Sequence, residues 1–182
     1  MPNSSSALWF GANMIGFQLC WWSLVLYGNL AVPLALLLLA LHLFFTPERQ
    51  LDLKLILIVG ILGFALDNVL ATASVWQFEN SLLPAPIWLG CIWLCFGATL
   101  RHSFRPLWER KLLLPILGAF GGASSYIAAN KLGAVSFGYE LLLTGFICAL
   151  LWGVILPLIV WFAEHEEMKL KTIQERETEA TS

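Results

Sequence analysis

Long apolar runs alternate with short polar breaks along the chain, and the breaks set its elements. Six runs of about 15 to 23 residues are close to the length that crosses a bilayer as a helix. The pattern predicts helices over residues 8–27, 30–45, 53–75, 86–103, 112–129 and 140–162. Tyr27-Gly28-Asn29 reads as the tight turn between the first two. Pro33 falls in the first turn of the second helix, where a missing N–H costs little. Thr46-Pro47-Glu48-Arg49 stops that helix, and Pro157 predicts a kink in the sixth by freeing the carbonyl of Gly153. The polar lead at residues 1–6 carries no Lys or Arg and so lacks the basic flank of a secretory signal, which predicts that the first helix stays.

Within these runs the small and polar residues fall into stripes. Asn13, Gly16, Cys20 and Ser23 recur at helical spacing, with Gln18 off the stripe. Gly60, Gly63, Asp67 and Ala71 share one face of the third helix. Gly118 and Gly122 form a G-x-x-x-G pair, and Gly121 with Ser125 forms a second small pair, so the fifth helix predicts a close-packed seam. A seam within one chain is favoured over a homodimer interface, because six helices in one chain need such contacts among themselves.

Charge supplies orientation. Nine of the ten Lys and Arg residues fall on one side of a six-helix arrangement, and Lys131 alone falls on the other. The most marked example is the run ending in Arg101, His102, Arg105, Arg110 and Lys111. Translocating clustered Lys and Arg is disfavoured, so this side and both termini are expected in the cytoplasm. The tryptophans suggest aromatic belts, with Trp9, Trp108 and Trp161 at the inner boundary and Trp76 and Trp88 at the outer. The expected fold is an all-α, compact bundle of six transmembrane helices over residues 1–162 in an inner membrane. A charged tail, either a frayed helix or disordered, follows over residues 163–182.

Composition agrees with that setting. Of 182 residues, 59% are hydrophobic and only 12% charged, against about 25% charged in a soluble domain. There is no basic, aromatic-studded face for nucleic acid. The four cysteines, Cys20, Cys91, Cys95 and Cys148, all fall inside apolar runs and are too scattered for a zinc site. No metal or cofactor motif is evident, and no G-x-S-x-G, phosphate loop or H-E-x-x-H appears.

Candidate chemistry gathers in two layers. Toward the cytoplasmic side lie Asn13, His42, Thr99, His102 and Ser103, with Gln18 deeper. Toward the other side lie Asp67, Asn68, Ser124, Ser125, Tyr126 and Glu140. His102 could work as an acid or base, though an interfacial cap beside arginines is the plainer role. His42 reads as an anchor, and two histidines without nearby carboxylates do not make a desaturase iron cluster. Asp67 at a helix centre costs roughly 2.5 to 3.5 kcal/mol on insertion scales, so it needs a partner or a purpose. It can be structural, tied to Asn68, Tyr126 or a serine; it can carry protons; or it can be a catalytic acid with Tyr126 or Glu140.

Four stretches carry a resemblance: N-x-x-G-F-Q-x-x-W-W from Asn13 to Trp22, the acidic centre at Asp67, P-x-W-L-x-x-x-W-L-x-F-x-x-T-L-R-H-S from Pro86 to Ser103, and G-A-F-G-G at Gly118 to Gly122 with the S-Y and L-G-A-V that follow. Together they resemble a bacterial family of small integral membrane proteins of unknown activity, domain-of-unknown-function family 2878. The chain departs from that pattern at Ala123, where a proline is expected. The resemblance implies a membrane fold and the company of lipid-modifying enzymes. From it follows the preferred expectation, an enzyme or accessory factor in membrane-lipid modification with membrane lipids as partners. A small proton-linked transporter using Asp67 and a non-catalytic scaffold are the alternatives.

Overall fold

A computed structural model describes residues 4–79 and 81–181. The first three residues of the polar lead, Asn80 and Ser182 lie outside the described residues. The described chain is built on six α-helices. The first, α1, covers Ser4–Tyr27 and α2 covers Val32–Phe45, joined by a 3-10 turn over Gly28–Ala31. Gly28 takes a left-handed φ of +55°, a conformation that costs glycine nothing and other residues about 1 kcal/mol or more. The chain therefore reverses there, and α1 and α2 pack as a hairpin whose far ends meet where Trp9 stacks on His42.

The third helix, α3, covers Arg49–Thr72 and begins one turn earlier than the apolar pattern suggests. Its first turn thereby gains Asp52, an acid at a helix N-terminus, where the macrodipole favours negative charge. Next, α4 covers Ile87–Gly97 and stops well short of the expected Ser103. The stop coincides with a close contact. A Cβ on Gly97 would sit 2.8 Å from the Ile56 Cα, so the α3 and α4 backbones touch at that point. The chain then leaves through successive tight turns, with the N–H of Leu100 on Gly97 and those of His102 and Phe104 on Thr99. These turns carry Arg101, His102 and Ser103 out of helical register.

The fifth helix, α5, covers Leu113–Lys131, and α6 covers Leu141–Thr181 with Pro157 inside it. The charged segment after residue 162 continues α6 as helix. Its first turns are held by Glu164 to Lys111, Glu166 to Lys54, and Glu167 to Arg101 and Arg105. Short strands β1 (Trp76–Gln77) and β2 (Ser136–Phe137) pair antiparallel and tie the α3–α4 link to the α5–α6 link.

Two helix pairs dominate the packing, α3 with α4 and α5 with α6. Glycines make both possible. On α3, a Cβ on Gly60 would strike Leu94, and one on Gly63 would strike the Trp93 ring. On α5, Gly118 lies against the Trp152 carbonyl and Gly122 against the Trp152 side chain. Gly121 has no such neighbour within 4 Å. Among the described residues, three segments are long and apolar enough to cross a membrane: Trp9–Phe45, which holds the α1–α2 hairpin, then Arg49–Thr72 and Leu141–Glu179. With 11 residues α4 is roughly 16 Å long, about half the hydrocarbon thickness. Large apolar side chains such as Ile15, Leu26, Leu142 and Val154 point outward, as a lipid environment requires.

The belt reading of the tryptophans needs correction. Trp76, Trp88 and Trp108 are buried at 1%, 7% and 5% exposure, while Trp161 is exposed. Aromatic mass here fills the bundle: Trp93 stacks on Trp152 with ring centroids 4.9 Å apart. The cysteines are buried free thiols.

Gly122→Leu places a branched side chain inside Trp152, an overpacking worth about 1–3 kcal/mol. Purified in detergent, this variant should melt several degrees below wild type, whereas Gly121→Leu should melt like wild type. Equal melting temperatures for the two would place the seam on a different face of α5.

Candidate functional site

The small residues of α5 border a large cavity. It is a cleft of about 610 Å³ between α1 and α5, floored by α4 and backed by Trp152 and Leu156 of α6. From α1 it takes Phe17, Gln18, Trp21 and Trp22, and from α4 Trp88, Trp93 and Phe96. From α5 come Gly121, Ser124, Ser125 and Tyr126. The space exists because α5 carries small residues where a bulky helix would have met α1. That is also why Gly121, predicted as a packing residue, finds nothing near its Cβ position. Gln18, Trp22, Gly121 and Ser124 are exposed and form the mouth. One end of the cleft lies at Phe78 and Trp88, the other at Phe104 and Leu107, beside Arg105.

Behind the floor sits Asp67, only 1% exposed. Its Oδ2 accepts the Trp93 indole N–H at 2.6 Å and its Oδ1 accepts the Tyr126 hydroxyl at 2.7 Å. Tyr126 in turn stacks on Trp76, with ring centroids 4.3 Å apart. Trp93 and Tyr126 line the cleft and Asp67 does not, so the carboxylate reaches the cavity only through these two donors. Asn68 is not a partner of Asp67. It donates to the Phe64 carbonyl at 2.8 Å and accepts the Ala85 N–H at 3.1 Å, holding the α3–α4 link. Ser124 and Ser125 bond back to Gly121 and Gly122 within α5. Glu140 is exposed, whereas Asp67 is enclosed. Thr99 is buried and donates to Phe96 at the end of α4.

A second polar centre gathers at the opposite end of the helices. Asn13, His42, His102 and Ser103 meet there, around a residue that sequence reasoning passed over. That residue is Asp52, 2% exposed. Its Oδ1 accepts Arg101 at 2.7 Å, and its Oδ2 accepts Thr46 at 2.5 Å and faces His102 Nε2 at 2.9 Å and His42 Nε2 at 3.5 Å. The expectation of histidines without nearby carboxylates is thus corrected. The usable signal was Pro47 followed by an acid within the next turns, the pattern of a helix start.

Hydrogen bonding fixes the tautomer of His102. An indole N–H only donates, and Trp9 Nε1 lies 2.8 Å from His102 Nδ1. In the neutral ring Nδ1 is therefore the acceptor, and the proton sits on Nε2, directed at Asp52. Ser103 donates to Asn13 Oδ1 at 2.5 Å, which leaves the Asn13 amide nitrogen to donate to the Ala98 carbonyl at 3.0 Å. His42 Nε2 is buried and has no hydrogen-bond partner among the described residues, a situation costing about 1–3 kcal/mol. Arg101 also meets Glu167 at 3.2 Å and Glu48 at 3.7 Å. Burial alone would lower the Arg101 pKa, but hydrogen bonds and attraction from Asp52, then Glu167, outweigh it, and the pKa is raised. His42, Asp52 and His102 each offer a donor atom within 4.8 Å of the others, the one such group among the described residues.

Comparison with known proteins places this geometry in a setting without assigned chemistry. A family model described as protein of unknown function (DUF2878) matches residues 11–158. None of the curated proteins and none of the solved structures matches the chain.

The Asp67 contacts decide what its substitutions do. In Asp67→Asn the remaining oxygen accepts Trp93 and the amide donates to the Tyr126 oxygen, so each of the three side chains keeps a hydrogen bond. Asp67→Leu strands an indole N–H and a hydroxyl, at about 1–3 kcal/mol each. Thermal melts in detergent should show Asp67→Asn close to wild type and Asp67→Leu clearly below it. An Asn variant as unstable as the Leu variant would mean that the charge, not the hydrogen bonding, holds the helices.

Proposed function

The chain belongs to the DUF2878 family of proteins of unknown function, and on that premise we propose that it is a membrane protein holding the hydrocarbon chain of a lipid in the cleft between α1 and α5. The observation that carries this reading is the cleft itself. Its volume of about 610 Å³ falls within the roughly 300–1,000 Å³ of small-molecule sites. Its walls are aromatic and aliphatic, and its mouth faces outward between two apolar helices. A lipid chain would lie along α4 from Trp88 toward Phe104. Arg105, Arg110 and Lys111 follow that end in sequence, a favourable place for an anionic headgroup.

The role that suits this site is an enzyme or accessory factor of membrane-lipid modification. Tyr126 is the polar group positioned to meet a bound chain, with Asp67 behind it as a positioning residue. His102 is engaged by Trp9 and Asp52 at the far polar centre rather than in the cleft. The transporter alternative has less support, because both Asp67 oxygens are capped by Trp93 and Tyr126. The reading includes six crossings of an inner membrane with both termini in the cytoplasm.

Lipid retained through purification tests the cleft. Gly121→Trp fills it without touching the seam and should lower the lipid bound per chain at least about five-fold by mass spectrometry, on the order of one lost anchor contact. A tryptophan at Leu150, which is outward-facing on α6, should leave it unchanged. Equal retention in both variants would contradict the proposal. For topology, reporter fusions should read cytoplasmic within the segment from Arg101 to Lys111 and external at Glu79 and Lys131. The opposite reading at Arg101 would overturn the six-crossing arrangement.

A further inference from the structure

We propose that His42, Asp52 and His102 form a binding site for one divalent first-row transition metal ion, and that the Trp9 indole competes with the metal for His102. Three separate elements bring these side chains together: the end of α2, the first turn of α3 and the turns after α4. Nothing in local helix chemistry requires that convergence. All three side chains are enclosed, with 9%, 3% and 10% exposure for His42, Asp52 and His102.

The atom that points to a ligand is His42 Nε2. It is buried, faces Asp52 Oδ2 at 3.5 Å, and makes no hydrogen bond. A ring nitrogen left in that state is satisfied by a metal ion placed between it, the carboxylate oxygen and His102 Nε2. The remaining contacts suit such an ion. Arg101 holds the other oxygen of Asp52 at 2.7 Å, and metal-ligating carboxylates are commonly oriented by outer partners of this kind. Two imidazoles and one carboxylate are the donor set of zinc and non-haem iron sites, which leave further positions to water or substrate. A smaller cavity of about 180 Å³, lined by Trp9, Asn13 and His42 among others, gives room beside the site.

Trp9 opposes the metal through the His102 tautomer. While Trp9 donates to Nδ1, the His102 proton occupies Nε2, the nitrogen a metal requires. Binding therefore moves that proton to Nδ1 and turns the indole away; the His42 ring proton, which the Asn13 amide nitrogen 3.5 Å from Nδ1 places on Nε2, must leave that nitrogen in the same way. The Trp9 hydrogen bond is thus a lock on the site, broken when the ion enters.

The test uses tag-free, full-length protein in detergent, titrated with Zn²⁺ by calorimetry and with Co²⁺ by visible absorption. Wild type should bind one ion per chain, with a Co²⁺ spectrum of nitrogen and oxygen ligation. Trp9→Phe keeps the aromatic stack but removes the N–H, and should bind about five- to ten-fold tighter, the equivalent of one hydrogen bond. His42→Ala removes the nitrogen that has no partner, so the fold should persist, as a melt would verify, while the Co²⁺ band is lost. No stoichiometric ion in either wild type or Trp9→Phe overturns the site. Binding indifferent to His42→Ala places the ion elsewhere and also overturns it. Binding in Trp9→Phe no tighter than in wild type overturns the lock.

Discussion

A carboxylate enclosed among apolar helices has no water to fall back on, and the way Asp67 is satisfied organises the bundle. From α3 it accepts Trp93 of α4 and Tyr126 of α5. Trp93 then stacks on Trp152 of α6, and Tyr126 stacks on Trp76 of β1. One side chain thus ties three helices directly and a fourth through an indole. Gly63, one turn before Asp67, makes this possible, since any side chain there would occupy the place of the Trp93 ring. The small face of α3 and its acid are therefore parts of one device: the glycine admits the indole, and the acid receives its N–H.

The cleft is a by-product of the same economy of side chains. Gly118 and Gly122 let α5 sit against Trp152. The side of α5 that carries Gly121, Ser124 and Ser125 beside that contact is then too slight to fill the distance to α1. The α1–α2 hairpin is attached instead through α4 and the polar centre around Asp52, where Trp9, Asn13 and His42 meet the turns after α4. Two fixed ends with a gap between them make a groove open along its length. Its α5 wall carries Tyr126, whose hydroxyl is already bonded to Asp67.

Much of this was legible in the sequence, for physical reasons. Apolar runs of helix length give the helices, and the G-x-x-x-G of Gly118 and Gly122 marks where α6 comes close. The cost of burying Asp67 announces that it has partners, and Tyr126, one of those considered, reaches it. Trp93 sits inside an apolar run that hides its one polar group, an N–H donor in need of an acceptor. Asp52 escaped because the apolar pattern begins at Leu53, whereas a helix begins where its N-terminal acid and proline place it. The early end of α4 falls where its backbone meets α3 at Gly97, a contact that no periodicity in α4 itself can show. The tryptophans misled for the same reason as Trp93: an indole suits a membrane boundary and a packed interior equally well, and only tertiary contacts choose between them.

The most direct measurement is an experimental structure of the protein in a lipid nanodisc. The account predicts elongated density along the cleft, passing between Trp21 and Gly121 over Trp93 and Tyr126. Helix α1 closed onto α5, with Trp21 and Trp22 packed against Gly121 and Ser124 and no density between them, would contradict it.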